Sequence, residues 1–71
     1  MEKTKKGLYI LKTAESTIRG CNVILTRKTT LAGDVLHGVV LENKRNGRHR
    51  KIGTFAGILP AWKLYKALAK I

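Results

Sequence analysis

The sequence predicts an α+β domain, mainly β: a small twisted antiparallel sheet or barrel of about four strands with a C-terminal helix. Three observations predict it. Two short runs, Leu8-Tyr9-Ile10-Leu11 and Asn22-Val23-Ile24-Leu25, are dense in β-prone apolar residues. Asn46-Gly47 lies between a second pair of such runs, and this dipeptide is a strong short-range hairpin signal. After Pro60, apolar residues change to three- and four-residue spacing, the period of an amphipathic helix.

Residues 1–6 offer nothing to bury and read as a flexible basic arm carrying Lys3, Lys5 and Lys6. The remainder, 7–71, is one domain, because 71 residues leave no room for a second core. The first strand is expected over 8–12, apolar on both faces. Residues 13–21 are polar and fit a turn, a wide loop or one helical turn. A second strand is expected over 22–28, turning basic at Arg27 and Lys28, and Ala32-Gly33-Asp34 then punctuates the chain.

Strands over 35–44 and 49–56 form the hairpin. With Asn46 and Gly47 as a two-residue type I′ loop, counting outward sets Arg45 against Arg48, Lys44 against His49 and Glu42 against Lys51. The same count sets Leu41 against Ile52 and Phe55 across from the bare backbone of Gly38. A helix over about 60–70 places Pro60 at its first position, where a missing N–H costs nothing. Ala61, Leu64, Tyr65, Leu68 and Ile71 share one side and Lys63, Lys66 and Lys70 the other. Trp62 falls at the edge of the apolar stripe and Tyr9 inside an apolar run, so both read as core or rim rather than base-stacking platforms.

Charge carries the functional reading. Fifteen Lys and Arg face four Asp and Glu, a formal net charge of +11. Leu, Ile, Val and Phe still make up 20 of the 71 residues, enough for a charged chain to fold. The excess predicts a polyanionic partner. Five Lys or Arg fall within 44–51, where edge protection needs one or two, and the expected register sets Arg45 directly against Arg48. The prediction is a two-stranded basic ribbon standing in solvent, with Arg45, Arg48 and Arg50 on one face and Lys44, His49 and Lys51 on the other. Arginine forks bind phosphate through two hydrogen bonds, and a β-ribbon fits the major groove of a duplex. The candidate nucleic-acid-binding residues are therefore Lys44, Arg45, Arg48, His49, Arg50 and Lys51, with Arg27, Lys28, Lys5 and Lys6 extending the surface. Four aromatics, none between Arg27 and Ile52, favour duplex DNA first and structured RNA second over single strands.

The same residues argue against other classes. The four acids Glu2, Glu15, Asp34 and Glu42 are scattered and form no carboxylate pair. His37, His49 and Cys21 lack metal-ligand spacing, and no phosphate-binding glycine loop is present, so neither an enzyme nor a cofactor is expected. A lone cysteine and the lack of a long apolar run fit a cytoplasmic protein with no membrane span. The alternative is a small regulator or accessory subunit docking on an acidic protein surface, or a ribosome-associated binder. A weaker option is an anionic membrane surface met by the Trp62-bearing helix.

The plan of a small basic barrel followed by a helix is similar to archaeal chromatin proteins of the small-barrel type. The stretch Gly33-Asp34-Val35-Leu36-His37-Gly38-Val39-Val40 resembles the glycine-punctuated strands of SH3-like barrels in ribosomal and transcription factors. Both resemblances are architectural and assign no functional residue.

Overall fold

Alternation in the apolar runs builds a meander. The computed structural model describes the backbone of residues 2–5 and the whole of residues 8–70. Strands β1 (Glu2–Lys5), β2 (Leu8–Glu15), β3 (Cys21–Thr29), β4 (Val35–Asn43) and β5 (His49–Phe55) precede helix α1 (Ile58–Leu68). They lie side by side in chain order, each antiparallel to the next. β1 and β5 are the two edges, so the sheet is open rather than a closed barrel.

Glu2–Lys5, expected as a flexible arm, is instead paired strand: Lys3 opposes Tyr9 and Glu2 opposes Ile10. Strand pairing needs only main-chain N–H and C=O groups, which a polar sequence supplies as well as an apolar one. β2 runs on to Glu15, past the expected end at 12. A bulge at Leu11, between Ile10 and Lys12, shifts its register and lets four consecutive apolar residues be used. Leu11 then packs against the core while Ile10 stays opposite Thr26.

One face of the sheet carries Val23, Leu25, Val39 and Leu41, and α1 covers it with Ala61 and Tyr65. Val23 and Val39 are fully buried, and Leu25 is 2% exposed. Burial pushes the Tyr65 phenol above its usual range, so it stays neutral in the core. The helix starts two residues before the expected position, with Gly57 as N-cap and Pro60 as its third residue, still within the turn whose N–H groups lack helical partners. It stops at Leu68 because the chain turns extended there to meet the end of β2. Ser16 bridges Ala69, the Thr17 N–H donates to Leu68 O at 2.7 Å, and the Lys70 N–H donates to Glu15 O at 2.7 Å. Ser16 Oγ adds a bond to Leu68 O at 3.0 Å. The Ile71 end of the expected stripe lies outside the described residues. Trp62 is half-buried, stacked on Tyr65 at 5.5 Å between ring centres, with Lys12 5.1 Å above it.

The hairpin register differs from the expected one. Val39 opposes Gly53 and Gly38 opposes Thr54, one residue out of step, and a bulge at Ile52 then sets Val40 against Lys51 and Leu41 against Arg50. Leu41 is buried while Ile52 is exposed, so the two do not stack. Phe55 opposes His37, and its ring lies over Gly53 of its own strand rather than over Gly38. A Cβ on Gly53 would come within 3.0 Å of that ring and 3.3 Å of Leu64 Cδ2. Gly53→Ala is therefore expected to lower stability by about 1–3 kcal/mol through overpacking, read as a drop in urea midpoint at unchanged m-value.

Candidate nucleic-acid interface

The basic turn is built by one asparagine. Asn43 Oδ1 accepts from the Arg45 N–H at 2.8 Å and the Asn46 N–H at 3.4 Å. The Asn43 carbonyl accepts from the Gly47 N–H and its own N–H donates to Arg48 O, both at 2.8 Å. Asn46 Oδ1 accepts from the Arg48 N–H at 2.9 Å. The loop is thus the four residues Lys44–Gly47, not two. Gly47 alone takes the left-handed conformation, at φ 72°, whereas a type I′ turn needs Asn46 there as well.

This loop is not the tip of a free ribbon. β3 pairs with β4 as far as Cys21 opposite Asn43, and the Lys44 N–H donates to Gly20 O at 3.0 Å. The β2–β3 turn reaches the same height as the hairpin and backs it. What solvent meets is a basic loop continuing into an edge strand, and every residue from Lys44 to Ile52 is exposed.

Two of the hairpin cations are held within the molecule. Lys44 Nζ lies 3.3 Å from Glu15 Oε1, and His49 Nε2 lies 3.3 Å from Glu42 Oε2, an ion pair when the imidazole is protonated. Asn22 Nδ2 also approaches Glu42, at 3.5 Å. The side chains of Arg45, Arg48, Arg50 and Lys51 make no ion pair or hydrogen bond among the described residues. His49 and Lys51 oppose Glu42 and Val40 on the helix-free face, while Arg50 opposes Leu41 on the helix side.

The other candidates lie elsewhere. Arg27 and Lys28 are about 20 Å along β3 from the turn, at the strand's rise per residue. Arg27 sits on the helix side with its guanidinium carbon 5.4 Å from the centre of the half-buried Tyr9 ring. Lys28 is on the opposite face, between Leu8 and Leu36 in register. Lys5 takes the position opposite Leu8 on the far edge strand, and Lys6 lies outside the described residues. The ten residues therefore form a basic end along the loop and β5, a lysine pair (Lys28 and Lys51) on the helix-free face, and outliers.

That face holds what the sequence reading missed. Leu8, Thr26, Lys28, Leu36, Gly38, Val40, Lys51 and Thr54 line a groove of about 400 Å³. The sheet curls enough for β2 and β5, two strands apart, to share it. The signal was Val39-Val40-Leu41, apolar toward both faces where a single helix covers only one. Among the described residues no three His, Cys, Asp or Glu side chains gather as a metal site, and no helix is long and apolar enough to cross a membrane. His37 is half-buried beside Phe55, with its Nδ1 unpartnered. No protein-family model, curated protein or solved structure matches the chain.

Proposed function

We propose that the protein is a non-enzymatic nucleic-acid-binding module whose partner is duplex DNA, held mainly by phosphate contacts. One observation carries the reading. Arg45, Arg48, Arg50 and Lys51 are exposed together along the loop and β5 with no partner among the described residues, while Glu15 and Glu42 at the same end engage Lys44 and His49. Like charges gathered on one loop and one edge strand raise the local positive potential, which a polyphosphate neutralises. Because β3 backs the hairpin, the loop and edge track a phosphate backbone rather than insert as an isolated ribbon.

Binding is expected to be counterion-driven. With about six phosphates neutralised, log K falls against log salt with a slope of about −5. A fluorescence titration of a short DNA duplex over a salt series measures it, with polyglutamate as the competing polyanion. Affinity insensitive to salt contradicts the reading. Polyglutamate binding as tightly as DNA turns it toward an acidic protein partner, for which β5 supplies an open strand edge.

A further inference from the structure

The helix-free groove, on the nucleic-acid reading above, has the chemistry to separate DNA from RNA. Its floor is Leu8, Leu36, Val40 and the bare backbone of Gly38, where a Cβ would come within 2.8 Å of Thr26 Oγ1. The buried Thr26 hydroxyl already donates to Gly38 O at 3.3 Å. Lys28 and Lys51 also line the groove, and neither has an ion pair among the described residues. Tyr9 is on the helix side with Arg27, and Phe55, Trp62 and Tyr65 pack in or against the core there, so the groove offers no ring for an unpaired base. Lys51 stands on the edge strand β5 with its side chain on the groove's face and that of Arg50 on the helix side, so the groove adjoins the edge that carries the arginines.

We infer that this groove seats one sugar–phosphate strand of a DNA duplex and discriminates against ribose. Phosphates meet Lys28 and Lys51, and the apolar edge of deoxyribose lies on Leu8, Leu36 and Val40. A ribose 2′-hydroxyl over Leu8, Leu36 and Val40 loses its water against hydrocarbon, for the Thr26 hydroxyl is already engaged with Gly38 O and Thr54, the other hydroxyl of the lining, is exposed to solvent. Leaving a buried hydroxyl unpaired carries a penalty, and the 2′-hydroxyl is the group by which proteins tell RNA from DNA.

The test compares a short DNA duplex with an RNA duplex of the same sequence, by fluorescence anisotropy across a salt series. Three proteins are used: the unaltered chain, Lys28→Gln with Lys51→Gln, and Val40→Thr. Thermal melts verify that each is folded. The unaltered chain is expected to bind DNA about tenfold more tightly than RNA. The double lysine variant, altered only at exposed positions, is expected to flatten the DNA salt slope by about two. Val40→Thr adds a hydroxyl to the floor at nearly constant volume and is expected to bring the DNA-to-RNA ratio toward one. RNA bound as tightly as DNA, or an unchanged slope in the lysine variant, overturns the inference; the reading of the basic edge then rests on Arg45, Arg48 and Arg50, which neither result touches. Failure of both duplexes to bind the unaltered chain overturns the nucleic-acid reading itself.

Discussion

Changing Arg45, Arg48 and Arg50 together to Ala is expected to weaken duplex DNA binding about a hundredfold at moderate salt and to flatten the salt slope by about three. The effect follows from where these side chains are. They leave a loop pinned by Asn43 and a strand held by β4, they are exposed, and no carboxylate neutralises them among the described residues. Each guanidinium thus reaches phosphate without first breaking an internal bond, whereas Lys44 must give up its contact with Glu15. The control is Lys63 and Lys66 changed to Ala, which removes two charges from the exposed side of α1; Lys70, past the helix end and bonded to the Glu15 carbonyl, lies toward the basic end and is left in place. That set is expected to cost about threefold, through long-range attraction alone. A larger loss from the helix set places the interface on the helix face and overturns the assignment.

Leu25→Ala is expected to cost about 2–5 kcal/mol, as a buried leucine truncated in a core that cannot fully collapse around the gap. At about 0.05–0.15 kcal/mol per residue, the whole chain has on the order of 4–10 kcal/mol to lose. The substitution therefore removes a large part of the stability, and the urea midpoint should fall by about a fifth or more. Leu31→Ala is the contrast. Leu31 lies wholly in solvent on the β3–β4 turn, and its loss should leave the midpoint nearly unchanged. Equal shifts for both variants mean that α1 does not cover Leu25 as described.

The sequence showed the elements more clearly than their alignment. β3 and α1 were legible because Val23 and Leu25, and Ala61, Leu64, Tyr65 and Leu68, repeat at the period of their element. The hairpin was legible at its turn and not in its register. Asn46-Gly47 marks the reversal, but Asn43 three positions earlier supplies the carbonyl and side-chain oxygen that make the loop four residues long. The bulges at Leu11 and Ile52 left no local trace, because a bulge is settled by what the neighbouring strand and helix can accommodate. The strand at Glu2–Lys5 was hidden for the opposite reason: it adds main chain to an edge and asks nothing of its side chains.

The site was legible as a list of cations but not as a surface. Glu15 and Glu42 are 27 residues apart in the chain, and only the matching heights of the β2–β3 turn and the hairpin bring them to the same basic end. Their contacts with Lys44 and His49 divide the cations into engaged and available groups. The lysine pair in the groove arose in the same way. Lys28 and Lys51 share a face only because the Ile52 bulge turns Lys51 to the side of Val40.

The stitch between Ser16 and the end of α1 has a kinetic consequence. Every strand pairs with its neighbour in the chain, so the meander can assemble hairpin by hairpin over short loops. The Ser16–Leu68 contact spans 52 residues, and a loop that long closes at a greater entropic cost than any of the turns. The helix thus acts as a late latch. In amide exchange its last turn and the 15–17 segment should open as one unit and ahead of β3, exposing the Leu41–Tyr65 side of the core while the strands still hold.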